Sequence, residues 1–156
     1  MNDLALLPRL HHIAVQTSDL TNCSAWYRDF LGCAPTWSTD RFSELTTRRL
    51  PGVGRITEMY ANGLRFHLFE RAGGAHPGPA DNRVQFQHVC LEVGSAAELR
   101  AWRARWLELA ASGRYAFARP DPATEIVVDD DGVESFYCLD VNGLEFEFTY
   151  APGGAS

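Results

Sequence analysis

Four residues of the 156 are of types that hold divalent metals and stand at matched places along the chain: His12, His67, His88 and Glu147. Two of them belong to a phrase that occurs twice. Residues 62–70 read Asn-Gly-Leu-Arg-Phe-His-Leu-Phe-Glu, and residues 142–150 read Asn-Gly-Leu-Glu-Phe-Glu-Phe-Thr-Tyr. Each is an Asn-Gly turn followed by strict alternation, the pattern of a half-buried strand. Leu64, Phe66 and Leu68 share one face, as do Leu144, Phe146 and Phe148. The opposite faces carry Arg65 with His67 and Glu145 with Glu147, and the last of each pair is offset by 147 − 67 = 80. His12 and His88 differ by 88 − 12 = 76, and Trp26 and Trp102 by 102 − 26 = 76. One such histidine taken singly is an ordinary strand residue. All four together, on the first and last strands of two similar halves, point to one metal site.

The elements that must position these residues follow the same two-fold order. Residues 10–16 read as a strand, and the alternation of strand side chains turns His11 away from the site that His12 enters. Ser18, Asp19, Thr21 and Asn22 offer helix caps, Leu20, Cys23, Tyr27, Phe30 and Leu31 follow helical spacing, and Gly32 can end the helix. Strands are expected over 37–48 and 55–61, separated by Pro51-Gly52-Val53-Gly54, and then in the first repeated phrase. Residues 71–83, rich in Gly and Pro and containing His76, read as a linker. The order then restarts. A strand over 84–93 precedes a capping box at Ser95 and Glu98, and a helical stripe runs through Leu99, Trp102, Trp106 and Leu109 up to Gly113. Strands over 116–118, 125–128 and 134–139 and the second phrase complete it. The expected fold is α+β: one domain over 1–156, built of two βαβββ modules at about 8–70 and 84–150. Their paired strands make a cupped mixed sheet with helices outside.

Composition narrows the function. The net charge is −6 and no Lys/Arg cluster could track a phosphate backbone, so no nucleic-acid partner is expected. No apolar run reaches the roughly 18 residues that cross a bilayer, and the first residues do not resemble a signal peptide. Cys23, Cys33, Cys90 and Cys138 form no C-x-x-C pair or disulfide framework, as expected of free thiols in a cytoplasmic protein. No Ser-His-Asp set, phosphate-cradling Gly loop or dinucleotide fingerprint is present.

The stretch His12-Ile13-Ala14-Val15-Gln16-Thr17-Ser18-Asp19-Leu20, with Ser24 to Gly32 after it, resembles the opening of the vicinal oxygen chelate superfamily. That group includes glyoxalase I, methylmalonyl-CoA epimerase, extradiol dioxygenases and the fosfomycin and bleomycin resistance proteins. Residues 136–147 resemble its closing Asp-Pro-x-Gly-Asn-x-x-Glu motif, with Val141 in place of the usual Pro, the Asn ahead of the Gly, and the Asp-to-Glu spacing of seven kept. The resemblance implies metal ligands at His12, His88 and Glu147. At the remaining position the family commonly has Glu or Gln, and here it is His67. Three imidazoles and one carboxylate suit one divalent transition metal ion, Fe2+, Mn2+, Co2+, Ni2+ or Zn2+, rather than Ca2+ or Mg2+.

The resemblance also implies a small-molecule substrate and a homodimer. Tyr137, ten residues before Glu147, stands where extradiol enzymes of the group place a substrate-contacting tyrosine; the alternative is packing. Arg65 and Glu145 match across the repeat, either as an ion pair or as substrate-binding groups, with Arg65 orienting an anion. If His67 ligates, two coordination positions remain for a substrate chelated through adjacent oxygens. Isomerase or lyase chemistry of the glyoxalase or epimerase type follows, with Glu147, His67 and Tyr137 as catalytic residues. If His67 does not ligate, a His12/His88/Glu147 triad leaves room for dioxygen and His67 becomes an acid or base, as in a non-haem Fe(II) extradiol dioxygenase. A metal-free drug-binding protein is the third reading.

Overall fold

The computed structural model describes residues 10–72 and 85–153, so most of the expected linker, with His76, lies outside the described residues. The chain runs β1 (Ile13–Thr17), α1 (Leu20–Leu31), β2 (Ala34–Thr39), α2 (Glu44–Arg49), β3 (Val53–Ala61), β4 (Leu64–Arg71), β5 (Val89–Glu92), α3 (Ala96–Ala111), β6 (Val127–Val128), β7 (Glu134–Leu139) and β8 (Glu145–Tyr150). The strands divide into two four-stranded sheets ordered β1-β4-β3-β2 and β5-β8-β7-β6. In each, the first strand pairs parallel to the last and the other pairs are antiparallel. β1 and β5 are edge strands.

Local signals set the limits of the long helices. Asp19 accepts from the Asn22 amide at the start of α1, and Gly32 closes it at φ 73°. Ser95 caps α3 through the Glu98 amide, while Glu98 reaches back to the Gly94 amide at 2.8 Å. Between β3 and β4, Asn62 and Gly63 adopt φ 47° and 85°, the two positive angles of a type I′ hairpin turn. The second Asn-Gly behaves differently. Gly143 alone is left-handed, and the buried Asp140 side chain holds the turn by accepting from the amides of Asn142 and Leu144.

Three expectations need correction. Residues 44–49 are a helix, not the end of a strand. Ser43 caps it, and none of its side chains is buried, so the strand reading had no sheet face to serve. Residues 116–118 are irregular; their backbone bonds the Asn22 side chain and the Val141 carbonyl instead of a strand. β1 starts at Ile13 and β5 at Val89, not within strands over 10–16 and 84–93, so His11, His12 and His88 precede their strands and strand alternation does not separate His11 from His12.

The helix-covered faces of the two sheets share one core. Tyr27 of α1 packs edge-on to Phe66 of β4 at 5.0 Å and lies 6.3 Å from Phe146 of β8, and Phe66 and Phe146 are themselves 6.2 Å apart between ring centroids. Phe30 contacts Trp102 and Phe148 of the other half. The Tyr27 hydroxyl donates to Asp140 at 3.1 Å, joining the halves through a polar bond inside the core. Burial pushes the carboxyl of Asp140 above its ordinary range, against the bonds it accepts.

Candidate metal centre

Strand alternation decides where His67 and Glu147 point. Phe66 and Phe146 face the common core, so their neighbours His67 and Glu147 lie on the outward face of their own sheets. Within one chain the four residues stand as two pairs. His12 stacks on His67 with centroids 3.9 Å apart and planes 9° apart. His88 Nε2 lies 3.1 Å from Glu147 Oε2. His12 and His88 both border a crevice of about 450 Å3 beside Leu10, Ala14, Phe86 and Cys90. Among the described residues no three His, Cys, Asp or Glu side chains are arranged around one metal position.

The first pair rests on a residue that the sequence reading missed. Glu58 of β3 stands directly opposite His67 of β4. Its Oε2 lies 2.8 Å from His67 Nε2, its Oε1 accepts from the Thr36 hydroxyl at 2.5 Å, and it is nearly buried at 6% exposure. The Thr36 bond, with those of His67 and the charge of Arg65, holds the Glu58 carboxyl below the usual range despite its burial. An ionised carboxylate only accepts, so His67 donates through Nε2. A signal for this pairing was present. A two-residue turn at Asn62-Gly63 fixes the hairpin register, and 61 + 64 equals 58 + 67.

Arg65 Nε sits 3.6 Å from Glu58 and its guanidinium lies over Tyr60, so its partner is Glu58, not Glu145. Trp37 meets the His67 ring edge-on at 5.2 Å and is 41% exposed. His11 joins this group as well, with its Nδ1 2.9 Å from His12 Nδ1. Burial first, then the neighbouring His67 and His11, lowers the His12 pKa and favours the neutral imidazole that a metal requires.

The second pair repeats the plan. Tyr137 of β7 stands opposite Glu147 of β8, as Glu58 stands opposite His67, and its hydroxyl donates to Glu147 Oε1 at 3.0 Å. Desolvation, then Glu147, raises the Tyr137 pKa, so it stays a phenol and a donor. Glu145 lies 3.9 Å from His88 Nδ1, and burial raises its pKa against the pull of His88. Cys90, the register partner of Glu147, is the one exposed thiol among the four free cysteines.

Comparison with known proteins agrees with this architecture. The chain aligns with the structure of a glyoxylase/bleomycin resistance protein/dioxygenase domain from a Frankia species over 96% of each chain, at 18% identity and TM-score 0.71. It aligns with the lactoylglutathione lyase of Agrobacterium tumefaciens at 19% identity and TM-score 0.59, over 93% of this chain and 95% of that one. It aligns with the fosfomycin resistance protein FosX of Listeria monocytogenes, solved with Mn(II) and sulfate, at 16% identity and TM-score 0.59, over 95% and 96% of the two chains. No curated protein matches the sequence. Among the described residues no helix is long and apolar enough to cross a membrane. The sequence model of the glyoxalase family matches residues 9–148, and the chain belongs to the Glyoxalase/Bleomycin resistance protein/Dioxygenase superfamily.

Proposed function

We propose that this protein is a divalent-metal-dependent enzyme that binds a small substrate through adjacent oxygens and works as a homodimer, with isomerase or lyase chemistry of the glyoxalase or epimerase type. The observation that carries the reading is the repeated ligand pair on each outward sheet face: His12 with His67, and His88 with Glu147. Three imidazoles and a carboxylate are donors that fit Fe2+, Mn2+, Co2+, Ni2+ or Zn2+. Among the described residues the two pairs share no metal position within one chain, and the four donors would meet when the His12/His67 face of one copy closes on the His88/Glu147 face of another. The ion, when bound, polarises the substrate oxygens as a Lewis acid.

The residues of the chain do the remaining work. Glu147 offers the carboxylate that takes the proton from the oxygen-bearing carbon next to the carbonyl, and the Tyr137 hydroxyl holds its other oxygen at 3.0 Å. His67 would hold the ion as the third imidazole. Arg65 and Glu145 border the two faces as substrate-orienting groups. Trp37, half exposed against His67, helps exclude water from a closed site.

The hydrogen bond that ties His67 Nε2 to Glu58 favours a second reading, in which His67 moves protons and His12, His88 and Glu147 alone form the 2-His-1-carboxylate triad of an Fe(II) extradiol-type dioxygenase. One combined experiment separates these. Purified protein is assayed for metal by elemental analysis and, after loading with each divalent ion, for turnover of α-hydroxycarbonyl and catechol substrates with and without oxygen. Bound metal with oxygen-independent turnover is expected. Turnover strictly dependent on oxygen under Fe(II) establishes the dioxygenase instead. A parent protein that takes up no metal overturns both and leaves a binding protein.

A further inference from the structure

We infer that Glu58 is the positioning residue of the His67 side: it fixes the ring of His67 by accepting its Nε2–H, so that Nδ1 is the nitrogen presented to a metal or to a substrate proton. The inference rests on the proposed role of His67 and adds a residue to it. Four observations converge. Glu58 is the cross-strand neighbour of His67, so the backbone ladder sets their spacing. The contact is 2.8 Å, within the range of a charge-assisted hydrogen bond. The other carboxylate oxygen is tied to Thr36, which leaves Glu58 one orientation. Both side chains are screened from solvent, at 14% exposure for His67 and 8% for Glu58, so water competes poorly for the bond.

The other walls restrict the ring further. His12 is stacked on one face and Trp37 meets it edge-on. An imidazole held this way can rotate about χ2 only by breaking the Glu58 bond, and a ring flip would put the Cε1 carbon, which makes no comparable hydrogen bond, where Nε2 now meets the carboxylate. Carboxylate partners of this kind orient a histidine ligand and raise its basicity, and removing one typically lowers metal affinity about 10–100-fold. The opposite half lacks this device, since Glu147 has two equivalent oxygens and needs no choice of nitrogen. Its neighbour Tyr137 is accordingly a donor where Glu58 is an acceptor.

The test uses Glu58→Gln and Glu58→Ala in the full chain, with two readouts. The first is the histidine nitrogen and ring N–H spectrum of metal-free, 15N-labelled protein, with the His67 signals identified by their loss in His67→Gln. The parent and Glu58→Gln should show an exchange-protected His67 Nε2–H, because a side-chain carbonyl still accepts. Glu58→Ala should lose that protection. The second readout is affinity for Zn2+ or Mn2+ alone: a loss of about 10–100-fold is expected in Glu58→Ala and a smaller one in Glu58→Gln. A His67 ring N–H equally protected in Glu58→Ala, or unchanged affinity in that variant, overturns the inference. If the parent binds neither ion, the metal-enzyme proposal fails, while the spectrum still decides whether Glu58 positions His67.

Discussion

At the scale of single residues, the role of His67 separates the two proposed reaction classes. As a ligand it makes His67→Ala weaken metal binding and leaves turnover independent of oxygen. As a proton carrier it makes the same variant keep its metal and slow a proton-transfer step by roughly 10²–10⁴-fold. Metal titration and single-turnover rates on one preparation separate the two, and the ligand outcome is expected. The four candidate residues stood out because the chain states its own plan twice, with a histidine read within each first strand, which the structure starts one residue after it, and a ligand type at the same place in each last strand. Glu58 was not legible by that route. Its counterpart in the other half is Tyr137, so the repeat hides it, and only the hairpin register reveals it. His11 was misplaced for a related reason. Alternation applies inside a strand, and both histidines stand just before one.

At the scale of elements, caps were the most reliable text. Asp19, Gly32 and Ser95 mark the ends of α1 and α3 because each solves a backbone hydrogen-bonding problem that no tertiary contact can override cheaply. α2 has a cap but no apolar stripe, and its threonines favour strand, so local preference pointed the other way. The two long helices are also locked together through Asp29. This residue accepts bonds from Arg28 at 2.8 Å and from the Tyr115 hydroxyl, and its backbone oxygen accepts from Arg105 of α3 at 3.0 Å. The Arg28 bond first, then Tyr115, lowers the Asp29 pKa from its ordinary 3.8. A depressed folded pKa gives stability that is present above 3.8 and lost as pH falls through the lower folded value. Urea unfolding between about pH 5 and pH 2 should therefore show a shallower acid loss in Asp29→Asn than in the parent. Superimposable profiles would mean that the Asp29 contacts add nothing net.

At the scale of the whole molecule, the proposed sharing of one site between two copies yields a mixing test. His67→Ala and Glu147→Ala proteins are each expected to bind metal more weakly than the parent. If sites form between copies, a mixed dimer has one site carrying both changes and one carrying neither. Equimolar mixing then restores about a quarter of the parent sites, as two-fold symmetry requires. If sites form within a chain, mixing restores none. Zn2+ titration before and after unfolding and refolding the two variants together distinguishes these outcomes, and restoration is expected. The edge positions of β1 and β5 carry a consequence of another kind. Among the described residues each stands at the end of its sheet, and such edges attract strands indiscriminately. A second copy that covers both would make folding and association one event. The resistance of this protein to heat would then be a property of a population, rising with every increase in concentration and falling on dilution.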